Sequence, residues 1–190
     1  MAEFGFDFLG IKRSTGIPSF AAWMVTSSHP DEGRRDRTVS LDDPERVSKA
    51  NADWYTLATD YGLFTDGRRF LVSLEVPLAA AGGSGPDDEE EAELVWGLVQ
   101  LADEWDVMGV GAASGVLGWG PGCPGFAMSS LSGSVFVQGT VWQDSIGTAV
   151  LPAPYKATSL RETVRRNVGK PYRTVAENED ALAWLALGEE

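Results

Sequence analysis

The sequence predicts an α+β fold: a single domain over residues 1–190, with helices packed on one face of a mainly antiparallel or mixed sheet. The 190 residues suit one domain, and 43% of them are hydrophobic, which is enough for a substantial core. Segments of helical periodicity are mixed with short apolar runs typical of strands. The one low-complexity stretch supplies a predicted flexible acidic loop over 79–91, inside the domain.

The first predicted elements are a strand over 20–26 and a helix over 43–62. The strand is the apolar run FAAWMVT. In the helix, Asp43 suits the N-cap, Pro44 suits the first helical position and Gly62 suits the end. The apolar residues of this helix share one face: Val47, Ala50, Trp54, Leu57, Ala58 and Tyr61.

A strand over 68–78, after the turn Asp66-Gly67, precedes a predicted acidic helix over 88–105. The apolar face of that helix comprises Leu94, Val95, Leu98, Leu101, Ala102 and Trp105. Trp96 falls on the opposite side, beside Gln100 and Asp103. A tryptophan on an acidic face is either covered by another element or exposed for a partner, and both interpretations stay open here.

The remaining predictions are a strand over 107–117, two strands within 134–152, a helix from 158 to 169 and a closing helix over 177–187. The first of the two strands alternates, with Val135 and Val137 on one side and Phe136 on the other. Ser159 and Glu162 have capping-box spacing. The inner side of the closing helix is predicted to comprise Leu182, Leu185 and Ala186.

Charge is distributed unevenly along the chain. The net charge is −13, yet residues 70–155 contain no Lys or Arg. An acidic surface disfavours nucleic acid as a partner and favours a basic protein, which long-range attraction brings in. The alternative is that the charge serves solubility alone.

The single cysteine cannot form an internal disulfide, which indicates a reducing compartment. The first residues lack the pattern of a signal peptide, and no apolar stretch is long enough for a membrane span. We therefore expect a cytoplasmic protein without membrane association. The oligomeric state is left open by the sequence.

The glycine-rich segment 109–125, GVGAASGVLGWGPGCPG, raises the question of a phosphate-binding loop. Such a loop aims backbone N–H groups and a helix N-terminus at the anion. Here no helix opens after the glycines, two prolines remove donors, and the spacing fits neither nucleotide motif. We predict a glycine-rich strand followed by a tight turn.

Three residues are candidates for lining a small-molecule pocket: Trp119 and Cys123, which lie within this segment, and His29, which is distant from it in the sequence. Cys123 would need a base to act as a nucleophile, and His29 is the one histidine of the chain. One cysteine and one histidine make a poor zinc site. No catalytic residue, metal or cofactor is predicted.

Asp103, Glu104 and Asp106 lie at the end of the predicted acidic helix, where carboxylates oppose the helix dipole. They are candidates for surface charge, for pairing with basic residues, or for partner contacts. With Trp96 and Gln100 they form the predicted partner-binding set. The resulting hypothesis is a non-enzymatic protein-binding domain, such as an immunity or inhibitor protein that neutralises a basic toxin or effector. The alternative is a small-molecule-binding protein or enzyme with a pocket near 109–125.

Overall fold

The computed structural model describes residues 1–77 and 92–188. Its strands are β1 (Phe6–Lys12), β2 (Arg35–Ser40), β3 (Arg69–Pro77), β4 (Ala92–Leu101), β5 (Gly118–Gly120), β6 (Cys123–Pro124), β7 (Phe126–Ser129), β8 (Val135–Val141) and β9 (Ser145–Pro152). Its α-helices are α1 (Ser19–Ala22), α2 (Arg46–Asp60), α3 (Thr158–Asn167) and α4 (Val175–Ala186). Among these helices, none has the length and apolar character that crossing a membrane requires.

A seven-stranded sheet in the order β1-β4-β3-β7-β8-β9-β2 is the centre of the fold. Its described strand pairings are all antiparallel. β5 and β6 form a separate two-stranded ribbon. The α+β class and the mainly antiparallel sheet are therefore confirmed.

The helices lie on both faces of the sheet, which corrects the expectation of one face. α2 packs on the face that contains Phe70 and Val72, and we call this the α2 face. α1, α3 and α4 pack on the other face, which contains Leu71, and we call it the α3 face. Because both faces are covered, the central strands carry apolar side chains in both directions.

Several predicted elements are confirmed: the helix α2, the strands β3, β8 and β9, and the helix α3. α2 begins at Arg46 because Asp43 first forms a turn, in which its carboxylate accepts a hydrogen bond from the backbone N–H of Glu45 at 2.8 Å. The alternation in β8 also holds, since Val137 contributes to the α2-face core and Phe136 to the α3-face core.

The predicted acidic helix over 88–105 is wrong where the structure describes it. Residues 92–101 form β4, which pairs with β1 on one side and β3 on the other. Val95, Trp96 and Gly97 are buried in succession, so this strand lacks the polar–apolar alternation of a half-buried strand. Residues 88–91 and the predicted acidic loop over 79–91 lie outside the described residues.

Two predicted strands are also wrong. Residues 20–26 contain the end of α1 and part of the 3₁₀ turn Val25–Ser27. Residues 107–111 form a π-helical turn, and residues 112 and 113 continue it as helix. Strands β1, β2 and β7 were not predicted, and β1 and β2 form the two edges of the sheet.

The two C-terminal helices differ in detail from the predictions. In α4 the buried side consists of Glu177, Ala181, Trp184 and Leu185, whereas Leu182 and Ala186 are exposed. The Ser159–Glu162 capping box does not form in α3. Instead, Glu32 from a distant turn binds the backbone N–H and the hydroxyl of Ser159.

Candidate partner-binding groove

An open groove of about 840 Å³ lies between α2 and the chain around Trp105. We call it the aromatic groove. Its lining residues are Pro44, Glu45, Val47, Ser48, Asn51, Ala52, Tyr55, Thr56, Trp105 and Asp106. Most of them come from the solvent-facing side of α2, which the amphipathic periodicity of that helix turns away from the sheet.

Two stacked aromatic rings, those of Tyr55 and Trp105, are among the residues that line the groove. The ring centroids of Tyr55 and Trp105 are 5.0 Å apart, with an angle of 21° between the ring planes. Trp54, which is fully buried, meets the Trp105 ring edge-on at 5.1 Å. Phe64 packs beside Tyr55 at 6.0 Å. Trp54 and Phe64 thus hold the two rings in place, so the rings lose less conformational entropy when a ligand binds.

The charge of the groove has one sign. Among the described residues that line it, Glu45 and Asp106 carry carboxylates and none is a lysine or arginine. Glu45 lies 3.4 Å from the ammonium of Lys49, but its own side chain is largely exposed. Carboxylates beside an aromatic face attract a cation, which gains both ion-pair and cation–π energy there.

Asp106 owes its position to a hydrogen-bonded turn. Its carboxylate accepts hydrogen bonds from the backbone N–H groups of Gly109 at 2.8 Å and Val110 at 3.0 Å, and from the Asn51 amide at 2.6 Å. The Asn51 carbonyl in turn accepts from the backbone N–H of Met108 at 2.9 Å. Burial raises the pKa of Asp106, but these hydrogen bonds outweigh it and lower the pKa below its ordinary value.

The glycine-rich segment forms the π-helical turn and then the β5–β6 ribbon, not a phosphate-binding loop. Its glycines permit close packing: a side chain at Gly118 would clash with the carbonyl of Cys123, and one at Gly125 would clash with the ring of Trp119. Trp119 itself is 73% exposed. Gly122 of the same ribbon lies against Val47, so the ribbon adjoins the rim of the groove.

Cys123 and His29 are not brought together. Cys123 follows Gly122, whose backbone N–H donates to the carbonyl of Met108 in the α2-face core. His29 caps a short 3₁₀ turn whose Glu32 binds α3 on the other face. The sheet therefore separates the two residues, and Cys123 and His29 do not form a nucleophile–base pair.

The predicted partner-binding residues are dispersed. Trp96 is 1% exposed, and its indole N–H donates to the Ile17 carbonyl at 2.7 Å, so it is covered by another element. Asp103 is exposed and pairs with Arg68 at 2.9 Å. Gln100 lies on β4 opposite β3, and the neighbouring Glu104 is exposed.

Of the predicted site residues, Asp106 alone is among those that line the aromatic groove. Tyr55 and Trp105 were not singled out from the sequence as a pair. One signal was present, because Tyr55 occupies the polar side of α2 between Ala52 and Thr56. An aromatic residue on a polar helix face is a typical mark of a binding surface.

The lining of the aromatic groove does not include Trp119, Cys123 or His29. Within residues 1–77 and 92–188, no cluster of three or more histidine, cysteine or acidic residues is placed to hold a metal ion. Comparison with protein-family models, curated proteins and solved structures gives no match to this chain. The geometry of the groove is therefore the main guide to function.

Proposed function

We propose that this chain is a non-enzymatic protein-binding domain whose aromatic groove receives a basic side chain of a partner protein. One observation carries the proposal: two stacked rings, Tyr55 and Trp105, share an open groove with two carboxylates, and the described part of the chain adds no basic residue to its lining. The site replaces the dispersed set predicted around Trp96.

The chemistry of the groove favours arginine or lysine as the anchor. A guanidinium stacks on an aromatic face and forms hydrogen bonds to a carboxylate at the same time. Glu45 is the carboxylate best placed to accept hydrogen bonds from this cation, because the oxygens of Asp106 already accept three hydrogen bonds. Aromatic and arginine contacts are the usual hot spots of protein interfaces.

The net charge of −13 fits a basic partner, since it attracts oppositely charged proteins over a distance. An immunity or inhibitor protein that neutralises a basic toxin or effector is the role we propose within this class. The half-buried free thiol of Cys123 fits a reducing compartment, and we place the encounter in the cytoplasm. Nucleic acid is not the proposed partner, because its phosphates carry the same charge sign as the protein.

The alternative, a small-molecule site beside 109–125, has less support. Space next to Gly118 and Gly125 is occupied by a backbone carbonyl and by the Trp119 ring. The aromatic groove is open to solvent, unlike the enclosed pockets that bury most of a small ligand.

The groove is tested by the substitution Ser48→Arg. Ser48 is an exposed residue of α2 that lines the groove, so an arginine there fills the site and repels a basic partner. We expect the affinity for a partner captured from the native cell to fall by about tenfold or more, which corresponds to about 1.4 kcal/mol. Binding is measured by titration calorimetry and folding by the melting temperature, which should stay unchanged.

The matched control is Thr59→Arg, which makes the same charge change on an exposed residue of α2 outside the groove. It should reduce affinity much less than Ser48→Arg. A direct probe is N-acetyl-arginine amide in an NMR titration, with N-acetyl-glutamate amide as its counterpart. Shifts of the Trp105 indole with the arginine compound alone support the proposal, whereas equal loss of affinity in both variants contradicts it.

A further inference from the structure

The two edges of the sheet differ sharply in character. β2 forms one edge and exposes charged residues, which protect an edge from pairing: Arg35, Asp36 and Arg37. β1 forms the other edge, and within the described residues no strand pairs with its outer side. Its exposed residues are large and apolar: Phe8 is 48% exposed, Leu9 47% and Ile11 45%.

We propose that β1 pairs antiparallel with β1 of a second copy of this chain, around a two-fold axis at Gly10, the residue midway between Phe8 and Ile11 in the register against β4. In this register Asp7 lies opposite Lys12 of the second copy, and Phe8 lies opposite Ile11. The same contacts repeat on the other side of the axis, as an isologous interface requires. Opposite charges and aromatic–aliphatic pairs facing each other across strands stabilise such a pairing.

The charged pair lies on one face of the combined sheet. Across β4, Asp7 is opposite Gln100 and Lys12 is opposite Trp96. Trp96 belongs to the α3-face core, and Gln100 is four residues along the same strand, so both partners share that face. Asp7 and Lys12 therefore meet on one side when two copies pair.

The apolar pair lies on the other face. Phe8 is opposite Val99, and Ile11 is opposite Gly97, which places both on the α2 face. The register of β1 against β4 shifts between Phe8 and the next paired residue, which leaves Leu9 as a bulge. In a regular strand, residues separated by an odd number of positions point to opposite faces. Asp7 and Lys12 are five positions apart and Phe8 and Ile11 are three apart, so in a regular strand the members of each pair would point to opposite faces. The bulge at Leu9 brings each pair to one face, and the edge can therefore pair with a copy of itself.

Asp7 and Lys12 are available for this contact. Within the described residues, neither side chain forms a hydrogen bond or an ion pair, and both are exposed. The contrast with Arg13 is instructive, since that neighbour is already paired with the buried carboxylate of Glu93. Pairing at β1 would satisfy the open backbone groups and cover the three apolar side chains together.

Sedimentation equilibrium over a wide dilution series tests the proposal. The wild-type chain should change from its 20.4 kDa monomer mass toward twice that mass as concentration rises. Asp7→Lys alone and Lys12→Asp alone each place like charges opposite one another at two symmetric positions, and should raise the dimer Kd by about tenfold. The double charge exchange, Asp7→Lys with Lys12→Asp, should restore the wild-type Kd.

Asp60→Lys is the matched control, because it makes the same charge change at an exposed position of α2 and should leave the Kd unchanged. Circular dichroism verifies that each variant is folded. A wild-type chain that stays monomeric overturns the proposal. So does a dimer that both single variants leave intact, or one that the double exchange fails to restore, because each result assigns the contact to another surface or register.

Discussion

Asp106 shows how one carboxylate determines a local conformation. It accepts two backbone hydrogen bonds from the π-helical turn and one from Asn51, which lies 55 positions away in the chain. The residue therefore fastens the turn to α2 and orients the neighbouring Trp105. From the sequence, Asp106 was recognisable as an acid in an unusual place. Its role was not predictable, because it depends on a tertiary contact with α2.

Replacing Asp106 by Ala should lower the free energy of unfolding at neutral pH by about 1–2 kcal/mol, the usual loss for a capping carboxylate. Because the pKa of Asp106 is lowered in the folded state, its contribution is present above its unfolded value, about pH 4, and is lost as pH falls through the lower folded pKa. Urea denaturation at several pH values should show the difference from wild type shrinking below about pH 4.

Asp103→Ala is the control, since the Asp103 side chain is fully exposed and is paired with Arg68. It should alter stability little at any pH. An equal and pH-independent loss in both variants would contradict the capping role of Asp106.

At the scale of elements, the sequence correctly predicts the helices and strands in which the spacing of apolar residues matches the pattern of buried residues. α2 has one apolar stripe, and β8 alternates between two cores. The prediction was wrong for β4 because this strand is buried on both faces and its leucines and valines recur at helical spacing. Edge strand β2 was missed for the opposite reason, since it exposes polar residues and buries only Val39. In both cases neighbouring strands, not local propensity, determine the conformation.

α3 illustrates a cap supplied from outside the helix. The Glu32 carboxylate accepts a hydrogen bond from the backbone N–H of Ser159 at 2.8 Å and another from its hydroxyl. Burial raises the pKa of Glu32, but the bonds from Ser159 and His29 outweigh it and lower the pKa. We expect Glu32→Ala to reduce the free energy of unfolding by about 1 kcal/mol, measured by chemical denaturation. Glu162→Ala, at the position predicted for the capping box, should cost less than about 0.5 kcal/mol.

At the scale of the whole molecule, the net charge of −13 should govern how fast a basic partner arrives. We expect the association rate constant to fall steeply as salt is added, because exposed charges are screened beyond about 8 Å at physiological ionic strength. Dissociation should change less, since it depends on the desolvated rings of Tyr55 and Trp105. Stopped-flow fluorescence with the captured partner measures both rates, and an association rate independent of salt would contradict steering by charge.

The strand pairs of the antiparallel sheet differ widely in how far apart their strands lie in the sequence. β8 and β9 are joined by a short turn, with Val141 paired to Ile146, whereas Phe6 of β1 pairs with Leu101, far later in the chain. Contacts between distant residues form slowly because a long loop has to be closed first. During synthesis, β1 emerges long before β4 exists to pair with it. We therefore expect the apolar side chains of β1, above all Phe6, which is buried in the folded chain, to need protection by chaperones until β4 has been synthesised and has paired with β1.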